Sequence, residues 1–173
     1  KARIGVSGIQ VGMRCSRNAR TDANGFAPKN YPIAGKDWAI TATGIVQYNT
    51  PTDLELDDLA EAHINPVLFE RYNAGAKYVF TDSLTGAKSN GDRKLIAVAE
   101  MSSTVDHYIA SFGKECLQLP MLDGIKRMSD FVKKILDAAE TAKWIKPSEE
   151  LGGRSYIATV APNAARPNDR MDE

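Results

Sequence analysis

The sequence predicts an α/β fold in the broad sense, an α+β arrangement in which a mixed β-sheet is flanked by several amphipathic helices. Two observations carry that expectation. Leu95, Val98, Met101, Val105, Tyr108 and Phe112 recur at i, i+3, i+4 intervals, and Ile125, Met128, Val132, Ile135 and Ala139 do the same further on, so two long helices each present one apolar face. Around them stand short runs rich in β-branched and aromatic residues, "DWAITATGIVQY", "VLFE", "KYVFT" and "SYIATV", which have the composition of strands.

Taken in order, the first element is a short helix from Ser7 to about Arg20, with Ile9, Met13, Ser16 and Ala19 at helical intervals. Gly8 and Gly12 would let another element approach it closely. From Ala23 to Asp37, Gly25, Pro28, Pro32 and Gly35 disfavour regular structure, while Phe26, Tyr31 and Ile33 are apolar enough to anchor an ordered loop. A strand is expected from about Trp38 to Tyr48. Thr52 followed three residues later by Glu55 is a capping box, so a helix starts there and ends near Ala62. Two strands, about Val67 to Glu70 and Lys77 to Thr81, are separated by a turn at Asn73-Ala74-Gly75. The long helices then run from Asp92 to Phe112 and from Asp123 to Lys143, interrupted by "QLPMLDG". A last strand lies within "RSYIATVAP", and a polar, proline-punctuated tail follows.

Length fits a single domain of residues 1–173 with a real core. A formal net charge of zero argues against a dedicated nucleic-acid binder, and no apolar run is long enough for membrane insertion. The chain starts at Lys1 and stops in a charged segment, and it reads most simply as a piece of a longer polypeptide. Cys15 and Cys116 are far apart without metal-ligand spacing, and are read as reduced, partly buried thiols.

Sites for chemistry are scarce. The glycines at 5, 8 and 12 do not form a phosphate-binding fingerprint. Asp57, Asp58, Glu61 and His63 could be imagined as metal ligands, but Asp57 and Glu61 at helical spacing are more simply the solvated face of a capped helix. Ser103, Asp106 and His107 share one helix, and no sharp turn presents the serine as a nucleophile. The expectation is a chain with no catalytic residues, cofactor or metal. Lys126, Arg127, Lys133 and Lys134 occur with Asp130 and Asp137 on the second long helix. They form either a mixed-charge solvated face or a docking face for an oppositely charged protein.

In sequence order these elements resemble the core region of contractile phage tail sheath proteins, and are also similar to the sheaths of pyocin-like contractile injection machines. The resemblance rests on a small-residue helix closing in Arg-Thr-Asp and a Gly and Pro loop, "SGIQVGMRCSRNARTDANGFAPKN" then "YPIAG". It continues through "AHINPVLFE", "NAGAKYVFTDSLTG", the helix "DRKLIAVAEMSSTVDHYIASF" and the closing "SYIATVAPNAARPND". Where sheath proteins usually carry two arginines early in the long helix, this chain has Lys94 and then "LIAVAE". The resemblance implies a structural subunit of the virion tail, assembled in the host bacterial cytoplasm. It self-associates into a helical sheath around an inner tail tube protein, meets baseplate and tail terminator proteins, and contracts to drive the tube through a target cell envelope. It also implies that Lys126, Arg127, Lys133 and Lys134 contact the tube or a neighbour. Strand-forming terminal arms lie outside this stretch, and the edge at Tyr156 to Val160 receives a neighbour's strand. Two alternatives stay open: a piece of an α/β enzyme such as a hydrolase, and a non-contractile capsid or baseplate subunit.

Overall fold

In a computed structural model of the chain, residues 5–87 and 91–162 are described. They form an α+β fold with four α-helices and one two-stranded antiparallel sheet. The order is α1 (Ser7–Asn18), α2 (Asp53–Glu61), β1 (Val67–Tyr72), β2 (Gly75–Phe80), α3 (Ile96–Cys116) and α4 (Met121–Thr141). The chain divides into two compact units, one of Lys1–Thr21 with Ala27–Glu100, the other of Asp22–Phe26 with Met101–Glu173. No described helix is long and apolar enough to cross a membrane.

The first unit is organised around the β1–β2 hairpin. Tyr72 pairs with Gly75 across an Asn73-Ala74 turn, and Gly75 takes the positive φ of 113° that closes it. Two cross-strand pairs stabilise the ladder: Phe69 and Tyr78, with ring centroids 4.8 Å apart, and the opposite charges of Glu70 and Lys77. Val79 and Phe80 are buried, and Ile33, Ile40, Ile96 and Ala97 complete the unit's apolar interior.

α2 has the predicted capping box. The Glu55 N–H donates to Thr52 Oγ1, and the Thr52 N–H donates to a Glu55 carboxylate oxygen at 2.7 Å. Its last turn closes with a bond from the Ile64 N–H to the Leu59 carbonyl at 2.8 Å, which puts His63 in the left-handed region at φ 57°. Asn65 then behaves like a piece of strand. Its side chain accepts from the Leu84 N–H at 2.7 Å and donates to the Leu84 carbonyl at 2.9 Å, tying the entry of β1 to the segment after β2.

The second unit is an αα-hairpin, with α3 and α4 joined by Leu117–Pro120. Phe112 stacks on Phe131 with centroids 4.0 Å apart. Where the helices come together at the turn, a Cβ on Gly124 would lie 2.9 Å from the Cys116 carbonyl oxygen. Because that neighbour is backbone, it cannot step aside. We expect Gly124→Ala to lower stability by about 1–2 kcal/mol despite alanine's better helix propensity. The matched change Gly12→Ala, where nothing lies within 4 Å, should instead gain up to about 1 kcal/mol. Thermal unfolding of the two variants checks both signs. α4 ends with the Trp144 N–H bonded to the Ala139 carbonyl at 2.8 Å and Lys143 left-handed at φ 61°, which turns the Trp144 ring back onto the helix. Phe26, Ala139 and Trp144 form the core there, surrounded by Met101, Val105, Tyr108 and Ile135.

Several expectations are corrected. Trp38–Tyr48 is not a strand: Lys36–Trp38 is a 3-10 turn, Ile40 alone bridges Tyr78, and Gly44 at φ 78° breaks the extended run. Val46 and Tyr48 are left exposed. Nor do residues 156–160 join a sheet; the nearest pairing is a single bridge between Ser148 and Arg154. The sheet is therefore a two-stranded antiparallel hairpin, not a mixed sheet. Asp92–Lys94 is a 3-10 turn, and α3 begins only at Ile96 but runs on to Cys116. Among the described residues, no other element comes within 4 Å of a Cβ built on Gly8 or Gly12. Cys15 and Cys116 are both free, but Cys15 is exposed where a partly buried thiol was expected. The expected tail beyond residue 162 lies outside the described residues.

Candidate functional site

The Gly and Pro loop after α1 is held by its own hydrogen bonds and buried side chains. Asp22 Oδ1 accepts from the Asn24 and Phe26 N–H groups at 2.9 and 2.8 Å, a side-chain-capped turn that sets Phe26 into the core of the second unit. Within the first unit, Ile33 is fully buried. Tyr31 is a correction, since its ring is exposed and its carbonyl is what anchors the loop.

That carbonyl belongs to a cluster of charges. Arg17 is wholly buried, and each of its three nitrogens has an acceptor: Nε donates to Asn18 Oδ1 at 3.2 Å, Nη1 to the Tyr31 carbonyl at 2.9 Å, and Nη2 to Glu100 Oε2. Arg14, one turn earlier, donates from Nε and Nη2 to Glu100 Oε1 at 2.8 and 2.6 Å. Burial pushes the Glu100 carboxyl up, but the Arg14 hydrogen bonds and the charges of Arg17 and Arg14 outweigh it and hold the group below the usual carboxylate range. Burial lowers the Lys29 ammonium, and the nearby Arg17 and Arg14 lower it further, against the opposing pull of Glu100. Sequence reasoning missed this cluster, although a signal was present. Ile9, Met13 and Arg17 follow at four-residue steps, which puts the arginine on the apolar face of α1.

Lys126, Arg127, Lys133 and Lys134 are all exposed on α4. At 3.6 residues per turn they fall within about a third of the helix circumference, yet Asp123, Asp130 and Asp137 fall in the same stripe. Lys133 Nζ lies 3.7 Å from Asp137, and Asp137 also accepts from the Tyr156 hydroxyl at 2.5 Å. That hydrogen bond pushes the phenol up to about 12. The face alternates in sign, so it suits the setting of register against a partner better than bulk attraction to one.

The other surface of interest is the outer edge of β1. The Phe69 N–H points away from β2 and is met by Gln47 Oε1 at 2.8 Å, a side chain in place of a strand. By the two-residue period, the Val67 and Arg71 N–H groups face the same way. An open groove of about 770 Å³ runs beside that edge, lined by Tyr48, Pro51, Glu55, Asp58, Leu59 and Val67. On the other side of the hairpin, residues 35–40 cover β2 through bonds from the Gly35 N–H to the Phe80 carbonyl and from the Ile40 N–H to the Tyr78 carbonyl.

Of the residues weighed for chemistry, Asp57, Asp58 and Glu61 are exposed on α2, and Ser103, Asp106 and His107 are exposed on α3. His63 Nδ1 donates to the Thr85 carbonyl at 2.8 Å. Among the described residues, no group of three or more His, Cys, Asp or Glu side chains is placed to hold a metal ion. No protein-family model and no curated protein matches this chain.

Proposed function

We propose that this chain is the core of a contractile tail sheath subunit, which polymerises helically around an inner tube and contracts to drive it through a cell envelope. The observation that carries the reading is the apolar surface left uncovered next to an open strand edge. Val46, Tyr48, Leu54 and Phe69 are all exposed in the first unit, around a hairpin that two strands alone would hold only marginally. Such a surface is suited to being covered by other protein, and an open edge is suited to an added strand. The order of motifs supplies the specific class. Asn65, from the "IN" segment of that order, is the residue whose side chain splices β1 to the segment after β2.

On this reading the receiving edge moves from Tyr156–Val160, which has no sheet to offer, to the outer edge of β1. Heterologous contacts that do not close produce a helical polymer, with the virion tail as the place of action and tube, baseplate and tail terminator proteins as partners. No cofactor or nucleotide takes part, since the work comes from rearranging subunits between two packings.

The α4 face is assigned to the inner tube. The double reversal Lys133→Glu with Lys134→Glu should reduce co-assembly with the tube protein severalfold. Fold stability should move by no more than about 0.5 kcal/mol, because both side chains are exposed. Co-sedimentation of sheath and tube measures the first quantity and urea unfolding the second. Undiminished co-sedimentation would remove α4 from the tube contact.

A further inference from the structure

We propose that the strand added to β1 carries a lysine or arginine between apolar residues, and that the groove beside that edge is where the cation binds. The inference rests on the assembly reading above and names the chemistry of the strand which that reading adds. The groove, of about 770 Å³, is lined by α2 and by the start of β1. It brings two carboxylates, Glu55 and Asp58, together with the apolar side chains of Leu59 and Val67, and among the described residues no cation lines it.

Glu55 and Asp58 are one turn apart on α2, so both belong to the face of that helix that lines the groove. Hydrogen bonds from Thr52, the backbone one foremost, lower the Glu55 carboxyl and keep it ionised at neutral pH. Asp58 has no ion-pair partner among the described residues. Arg71, the cation of β1, stands four residues beyond Val67, about 13 Å along the strand. The edge already shows what it accepts at this place. Gln47 Oε1 takes the Phe69 N–H at 2.8 Å while Gln47 Nε2 donates to the Asn49 carbonyl at 2.8 Å, so one side chain stands in for a strand's acceptor. A partner strand displaces it and reaches the Val67 and Arg71 N–H groups as well. Exposed Val46, Leu54 and Phe69 nearby call for apolar residues on either side of the cation, and an acidic residue in its place would meet like charge.

The test is fluorescence anisotropy of the whole chain with two fluorescein-labelled peptides as probes, Thr-Val-Lys-Val-Thr-Val and the same peptide with glutamate for lysine. The lysine peptide should bind with a Kd of about 10 μM to 1 mM, and the glutamate peptide at least about tenfold more weakly. Asp58→Lys should reverse that order; Glu55 is left in place because it caps α2. Should Asp58→Lys fail to fold, Asp58→Asn should cut the preference at least about threefold. Gln47→Ala should tighten the lysine peptide by about two- to tenfold, because the competing acceptor is gone. Binding of the lysine peptide by a chain that never forms tubes would uphold the groove and remove the sheath reading. Tubes from a chain indifferent to the two peptides would do the reverse. Absence of binding, equal or inverted preference in the parent, or a preference that Asp58→Lys leaves unchanged would overturn the proposal.

Discussion

Arg17→Ala is expected to destabilise the first unit by about 3–5 kcal/mol, the range for removing one member of a buried, hydrogen-bonded ion pair. Arg17 is fully buried, and its guanidinium joins α1, the Tyr31 carbonyl and the Glu100 carboxylate at the start of α3. Its loss leaves the Tyr31 carbonyl without its donor and the Glu100 carboxylate with one fewer cation, and it opens a cavity the length of the side chain. Arg17→Lys should rescue little, since a single ammonium cannot reproduce three divergent donors. Hydrogen exchange read residue by residue gives the answer: protection should fall across residues 7–18 and 27–40. A loss below about 1 kcal/mol would mean that the cluster contributes little to the unit's stability.

The same cluster sets a pH dependence. Glu100 has a carboxyl held below its usual range in the folded chain, so its contribution to stability is present above the unfolded carboxylate value and is lost as pH falls through the folded one. Glu100→Gln should therefore flatten the acid limb of the stability curve while lowering stability at neutral pH.

Trp144→Ala is the counterpart in the second unit, with an expected cost of about 3–5 kcal/mol. Its ring packs edge-on against Phe26 with centroids 4.7 Å apart, over Ala139, and it is only 9% exposed. The residue also sits where the last turn of α4 closes, so truncation removes the apolar contact that accompanies that cap. Urea unfolding followed by the far-ultraviolet signal of the helices measures the loss. Trp144→Phe should retain more than half of the stability at stake, and an alanine variant as stable as the parent would contradict this description of the core.

What the sequence reveals, and where it misleads, follows from the range of the interactions involved. The α2 capping box, the Asn73-Ala74 turn and the stripes of α3 and α4 are local patterns, and each appears within a residue or a few of its expected place. Trp38–Tyr48 and residues 156–160 have the composition of strands, but strands need a neighbour, and composition carries no information about one. Gly8 and Gly12 suggested close packing that the chain does not use, whereas Gly124, unremarked in the sequence, is where backbone meets backbone. The Arg17 to Glu100 contact joins residues 83 positions apart, and only the placement of Arg17 on the apolar face of α1 hints at it. As for the four cations of α4, their exposure was legible, and their dilution by Asp123, Asp130 and Asp137 in the same stripe appears once the helix is wound.

The central claim, that this chain polymerises through the open edge of β1, is tested most directly by negative-stain electron microscopy of the protein beside its Arg71→Pro variant. Proline at that position removes an N–H that faces away from β2, so the hairpin survives while the edge is blocked. Long, hollow, striated tubes from the parent and dispersed particles from the variant are the predicted result. Dispersed particles from the parent at every concentration, or identical tubes from both, would contradict it.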